Sequence, residues 1–198
     1  MGQVIKVGMA DLNICKSPDV LTTIGLGSCI GIALYDPTTK ISGLAHIMLP
    51  DSTQIRNNSN IAKFADTGIQ KLYDDMIKAG ANRSKLVAKI AGGAKMFELS
   101  NASSPGTNIG EKNAIASRAK LKALGIPLIA EDTGLNFGRT VELYSETGQF
   151  LIKSVGRQEN TSDGGPMKTK QIPIIITLLA AGITCLVSAI QDLSLIHI

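Results

Sequence analysis

Residues 25–48 read Gly25-Leu26-Gly27-Ser28-Cys29-Ile30-Gly31-Ile32-Ala33-Leu34-Tyr35-Asp36-Pro37-Thr38-Thr39-Lys40-Ile41-Ser42-Gly43-Leu44-Ala45-His46-Ile47-Met48. Two apolar runs, Ile30 to Tyr35 and Ile41 to Met48, flank Asp36-Pro37-Thr38-Thr39-Lys40, a turn signal, so the stretch predicts an antiparallel hairpin. With an even number of residues in the connection, Tyr35 faces Lys40 and Cys29 faces His46. Facing side chains have Cβ atoms about 4.5–5.5 Å apart, a separation that suits a sulfur and an imidazole. With an odd number the register moves by one and Cys29 points to the other face. Spacing alone leaves both open.

Outward from the hairpin, short β-branched runs bounded by turn residues predict strands over Gln3 to Val7, Asp11 to Cys15, Val20 to Ile24, Leu86 to Ala91, Ile126 to Ala130, Arg139 to Tyr144 and Gln149 to Val155. Between Ala62 and Ala79 the period changes: Ala65, Ile69, Leu72 and Met76 fall on one helical face, and Gly80 stands where a C-terminal cap belongs. Asn108-Ile109-Gly110-Glu111 resembles a capping box, opening a helix that runs to Leu124 before Gly125 and Pro127. Strands cluster early and late with two main helices between, which places the chain in the α+β or layered α/β class.

Residues 1–157 read as one domain. Gln158 to Pro166 is polar and rich in breakers, a linker at 158–166. Composition then shifts: at 167–198, Met167-Lys168-Thr169-Lys170 leads into an uncharged apolar run from Ile172 to Ile190. One reading is a C-terminal membrane anchor. The preferred reading is a read-through or assembly artefact, because a basic start followed by an apolar run looks like the beginning of another protein. Fold reasoning therefore sets aside residues beyond 160, His197 included.

With 44% hydrophobic and 18% charged residues and no Trp, the composition fits a soluble α/β protein. A net charge of +4 from scattered Lys and Arg gives no basic stripe, which argues against nucleic-acid binding. The three cysteines, Cys15, Cys29 and Cys185, have no paired spacing and point to a reducing compartment. Cys/His zinc spacings are absent. The amino terminus lacks a signal-type apolar run, so a cytoplasmic body without membrane insertion is expected.

A lone cysteine in an apolar strand is more often a small buried hydrophobe than a nucleophile, and Cys15 stays in that class. Cys29 differs by its glycine-rich approach, Gly25-Leu26-Gly27-Ser28, which admits substrate and frees backbone N–H groups. Gly27 and Ser28 are thus candidate substrate or oxyanion contacts. An imidazole near the sulfur would take the thiol proton and return one to departing ammonia, and in its charged form would lower the thiol pKa.

Six blocks carry a family resemblance: Gly25 to Ile30; Gly43-Leu44-Ala45-His46-Ile47-Met48-Leu49-Pro50; Lys63-Phe64-Ala65-Asp66-Thr67; Gly92-Gly93-Ala94-Lys95-Met96-Phe97; Asn108 to Asn113; and Asp132 to Val141. In that order, over residues 3 to 157, the chain resembles the CheD family. The resemblance implies a layered α/β/β sandwich, and a protein-glutamine glutaminase that deamidates chemoreceptor glutamines without metal or cofactor. It carries the nucleophile onto Cys29, the base onto His46 and an orienting or polarising group onto Thr23. It implies methyl-accepting chemoreceptors as substrate and a CheC-type response-regulator phosphatase as partner. The alternative is a regulatory binding module that stimulates that phosphatase. One position departs from the pattern, Leu135, where Asp-x-Gly-Gly-Asn would have glycine. Gly92 to Lys95 lacks a phosphate-loop frame and reads as a turn after a buried strand. Asp66 and Glu111 read as helix caps, and Arg139 as a solvated charge at a strand end. Which receptors and glutamines are used, how deamidation balances against phosphatase regulation, and the oligomeric state are not written in the sequence.

Overall fold

The computed structural model describes residues 2–54, 56, 59–96, 108–155 and 169–172. Within them the order is β1 (Val4–Lys6), β2 (Asp11–Lys16), β3 (Val20–Leu26), β4 (Ile30–Asp36), β5 (Ile41–Ile47), α1 (Ala65–Lys78), β6 (Val87–Gly92), α2 (Ile109–Ala123), β7 (Leu128–Thr133), β8 (Gly138–Tyr144), β9 (Phe150–Val155) and β10 (Thr169–Ile172). The expected elements before residue 156 are all present, with ends displaced by at most three residues. The linker expected at 158–166 and most of the apolar segment at 167–198 lie outside the described residues. The exception is Thr169–Ile172, set aside with the tail on sequence grounds, which pairs antiparallel with β9 from Thr169↔Lys153 to Ile172↔Phe150.

The strands form two five-stranded sheets, one ordered β2-β5-β4-β6-β7 and the other β1-β3-β8-β9-β10. The first is covered on both faces. Ile30, Ile32 and Leu34 of β4, with Ile41, Ala45 and Ile47 of β5, pack against Ala65, Ile69, Leu72 and Met76 of α1 and Ala114 and Leu121 of α2. Their alternates, Ala33 and Leu44, meet Leu21, Leu26, Val141, Leu143, Phe150 and Ile152 of the second sheet. Burial on both faces explains why β4 and β5 read as near-continuous apolar runs, each buried from end to end. The second sheet has one solvated face, so β8 alternates between buried and half-buried residues. The fold is therefore a strand-rich α+β sandwich in α/β/β layers.

The hairpin forms, but its register differs from the one drawn from spacing. Tyr35 faces Ser42, Gly31 faces His46 and Ile30 faces Ile47, two residues from the expected Tyr35–Lys40 and Cys29–His46 pairs. The turn sets this offset. Asp36 stays in the ladder opposite Ile41, while its carboxylate accepts hydrogen bonds from the N–H and hydroxyl of Thr38 and Thr39. Lys40 closes the turn in the left-handed region at φ 54°, its N–H donating to the Asp36 carbonyl. Parity is preserved by a shift of two, so Cys29 and His46 remain on one face.

Candidate active site

Alternation along β4 and β5 sends residues 29, 31 and 33 and residues 42, 44 and 46 into the layer between the sheets. His46 enters it opposite Gly31, whose lack of a side chain leaves the imidazole room. Cys29 lies just before β4, two residues from Gly31 on the same face. It is therefore the diagonal neighbour of His46, a relation that keeps side chains within about 7–8 Å. Both are buried, Cys29 at 9% exposure and His46 at 1%.

Thr23 joins them from the opposite sheet. Its Oγ1 lies 2.8 Å from His46 Nδ1. Thr22, beside it, turns the other way and donates to the Val141 carbonyl, so strand alternation separates the two threonines as the sequence requires. Immediately after Thr23 the pairing of β3 with β8 slips, from Thr23↔Val141 to Leu26↔Arg139. The resulting bulge re-aims the chain from β3 into the loop that carries Cys29. His46 Nε2 makes no hydrogen bond among the described residues. If Nδ1–H donates to Thr23, Nε2 keeps its lone pair and is free to accept a proton.

The electrostatics differ from the sequence expectation of an imidazolium lowering the thiol pKa. Burial pushes the Cys29 thiol up, with a partial offset from its own backbone N–H. Burial holds His46 down at about 4. Both shifts favour neutral thiol beside neutral imidazole over a resting ion pair. The neutral imidazole is the form a general base requires.

The loop before β4 is fastened through its carbonyls. Gly27 accepts from the Ala94 N–H and Cys29 from the Gly93 N–H, both at 2.8 Å. Ser28 accepts from Asn113 Nδ2 at 2.9 Å. The segment Gly92 to Lys95 is thus a turn, as expected, and it braces the loop that carries Cys29. Gly92 has φ 116°, and a Cβ there would meet the Cys29 carbonyl oxygen at 2.2 Å, so only glycine admits this approach. Gly27 lies under Met96, whose Sδ would be 3.1 Å from an added Cβ. Three exposed apolar side chains stand at or beside this end of the sandwich: Ile24 at 70%, Met96 at 45% and Leu135 at 63% exposure.

Leu135 occupies the left-handed region at φ 61°, which accounts for the glycine expected there. Its carbonyl accepts from the Lys95 N–H. Arg139 corrects the sequence reading of a solvated charge. It is fully buried, paired to Asp132 at 2.8 Å and stacked on Phe137 with 4.4 Å to the ring centre. Its Nη1 donates to the Gly134 carbonyl, so it shapes the loop after β7. Neither Asp66 nor Glu111 is itself a cap. Helix α1 starts after Phe64 with no side-chain cap bond, and Asp66 instead accepts from the Ser52 N–H and hydroxyl. Helix α2 is capped by Asn108, whose Oδ1 accepts from the Glu111 N–H. Asn113 is a site residue that sequence reasoning misses. The available signal is an amide placed on the buried face of α2, between Gly110, Ala114, Ser117 and Leu121. Among the described residues no cluster of three or more His, Cys, Asp or Glu side chains could hold a metal ion, and no helix is long and apolar enough to cross a membrane.

Comparison with known proteins gives the family of the chain. Residues 48–154 match the family described as CheD chemotactic sensory transduction. A relative from Lachnoclostridium phytofermentans, "Probable chemoreceptor glutamine deamidase CheD", is 58% identical over 159 residues, covering 80% of this chain and 98% of its own. A relative of the same name from Caldanaerobacter subterraneus subsp. tengcongensis is 58% identical over 154 residues, covering 78% of this chain and 94% of its own. Among solved structures, a Neisseria meningitidis protein of the DUF152 family is similar at a TM-score of 0.45 and 10% identity, over 68% of this chain and 64% of that one. On the family match and the relatives' coverage, the chain belongs to the CheD family.

Proposed function

We propose that this protein hydrolyses glutamine side chains of chemoreceptors to glutamate, with Cys29 as nucleophile, His46 as general base and acid, and Thr23 as the group that orients His46. The observation that carries the reading is the arrangement of His46: Nδ1 against Thr23 Oγ1 at 2.8 Å, Nε2 without a hydrogen-bond partner among the described residues, and Cys29 diagonal to it across the hairpin. The relatives' name supplies the substrate class.

The chemistry follows from the neutral resting pair. As the glutamine carboxamide enters, Cys29 Sγ attacks its carbonyl carbon and His46 Nε2 takes the thiol proton. Charge on the carbonyl oxygen needs backbone donors. The Gly27 N–H is already taken by the Gly25 carbonyl at 2.9 Å, which removes it as an oxyanion donor. This leaves the N–H groups of Ser28 and Cys29 as the candidates, on a loop whose carbonyls are turned inward and fastened. The imidazolium then protonates the departing nitrogen, the C–N bond breaks, ammonia leaves and a thioester remains. Water attacks the thioester with Nε2 as its base, which releases glutamate and the free thiol. No cofactor enters this balance. The same steps act on a methyl ester of glutamate, with methanol as leaving group.

A second reading rests on Ile24, Met96 and Leu135, apolar and exposed beside the site. Such a surface suits a macromolecular partner, and it supports docking of a CheC-type phosphatase where receptor also binds. Both activities belong to a cytoplasmic protein. The test is incubation of the full chain with a cytoplasmic chemoreceptor fragment, followed by peptide mass spectrometry. Conversion of specific glutamines to glutamate supports the enzyme. A folded protein that binds the phosphatase but converts nothing across several receptors moves the assignment to the binding module.

A further inference from the structure

Helix α2 buries an amide that its own fold does not require. Asn113 is fully buried on a face otherwise made of Gly110, Ala114, Ser117 and Leu121. An uncompensated buried amide is costly, so its partners say what it is for. Its Nδ2 donates to the Ser28 carbonyl at 2.9 Å and to the Met48 carbonyl at 2.8 Å. Both partners are pure acceptors, which fixes the orientation of the amide: the nitrogen must face them and Oδ1 must face away. The two carbonyls belong to the residue before Cys29 and to the residue two after His46. One side chain thus ties the nucleophile loop to the end of the base strand.

We propose that Asn113 is a positioning residue that sets the separation of Cys29 and His46 by holding Ser28 and Met48 in one fork. Cys29 lies outside the β4–β5 ladder, which begins at Ile30↔Ile47, so strand pairing alone does not hold its sulfur against the imidazole. The Asn113 amide carries that register one residue pair further, to Cys29 opposite Met48. Its partners lie 85 and 65 residues away in sequence, so α2 sits where it does in part to deliver this fork. The inference rests on the assignment of Cys29 and His46 as a reacting pair. It goes beyond that assignment in naming what aligns them.

The test reads the pair without needing receptor. The rate at which iodoacetamide alkylates Cys29 at pH 7 is followed by mass spectrometry in wild type, His46→Ala, Asn113→Ala and the double variant. His46→Ala is expected to slow Cys29 by about tenfold or more, because the neutral imidazole takes the thiol proton as the sulfur attacks. Asn113→Ala is expected to slow it by about tenfold, with a melting transition still cooperative, and the double variant to be no slower than His46→Ala alone. Such non-additivity marks a residue acting through the pair. Asn113→Asp keeps the volume but, ionised, offers no donor to either carbonyl, so it alkylates no faster than Asn113→Ala; it serves if the alanine variant does not fold. Ser117→Ala, one turn further along the same buried face, alkylates as wild type. Wild-type alkylation in folded Asn113→Ala and Asn113→Asp overturns the proposal, as does faster alkylation, which would mean simple loosening. If His46→Ala alkylates as wild type, the reacting pair itself fails and this inference falls with it. If the alkylation pattern holds but receptor is not deamidated, the substrate reading fails and the fork stands.

Discussion

Cys15 and Cys29 lie in the same apolar layer between the sheets, both buried and free, at opposite ends of it. Burial raises the pKa of both thiols, that of Cys15 to about 11. By burial and acidity alone they are the same kind of residue. They differ in what each end of the layer supplies. Cys15 faces Ser42 across β2 and β5 and has the Ser145 hydroxyl nearby, groups that cannot take a proton at neutral pH. Cys29 has an imidazole on its own face, oriented by Thr23 and kept neutral by burial. Its backbone is pinned at three successive carbonyls, whereas Cys15 sits within the regular ladder of β2. What separates the two thiols is their neighbours rather than a shift of their own.

The comparison breaks most sharply under substitution of the two cysteines. Cys29→Ala and His46→Ala should each lower receptor deamidation at saturating substrate by at least about a thousandfold. Cys15→Ala should leave the rate within about twofold and cost about 1 kcal/mol of stability, read from urea unfolding. A slower second route through Cys15 would appear as residual activity in Cys29→Ala that disappears in the double variant.

Thr23→Val is the next test. It removes the oxygen at Nδ1 while nearly preserving shape. The expected loss is about tenfold in kcat with KM little changed, the value of one orienting hydrogen bond of about 1.4 kcal/mol. A rise in KM alone would place Thr23 in substrate binding instead.

The pH dependence follows from the depressed pKa of His46, about 4 against 6.5 for the free side chain. Between these values the unfolded chain binds the proton and the folded chain does not. The stability that neutral His46 contributes is therefore complete above about pH 6.5 and is lost as pH falls toward 4. Urea midpoints should drop over that window in wild type and drop less in His46→Ala. The acid limb of kcat/KM should lie at about 4 rather than 6.5, since this parameter reports the free enzyme.

The smallest effect concerns the strained loop beside the site. Leu135→Gly removes a side chain from the left-handed region and should stabilise the protein by up to about 1 kcal/mol, with deamidation unchanged. Loss of activity without loss of stability would instead give the exposed Leu135 a part in docking.

Much of the fold is legible in the sequence. The hairpin, the two helices and the core stripe Ala65, Ile69, Leu72 and Met76 follow from periodicity, and all four stripe residues are fully buried. The set of Cys29, His46 and Thr23 follows from the family resemblance, not from spacing, which leaves the hairpin register open. Spacing misplaces that register by two because Asp36 reads as turn when it closes the ladder. Turn chemistry of that kind, a carboxylate collecting Thr38 and Thr39 with Lys40 left-handed, is not visible in a count of residues. Arg139 reads as solvated because nothing local announces its pairing with Asp132 or its stacking on Phe137. Asn113 escapes notice for the same reason, since its partners come from the start of β4 and the end of β5.

Everything in the site turns on Cys29, and not Cys15, being the thiol that His46 serves. The most direct measurement is peptide mass spectrometry of a chemoreceptor fragment incubated with wild type, Cys15→Ala, Cys29→Ala and His46→Ala at equal concentration. Glutamine-to-glutamate conversion in wild type and Cys15→Ala, and none in the other two, is the predicted result. Conversion that survives Cys29→Ala in a folded protein would contradict the account.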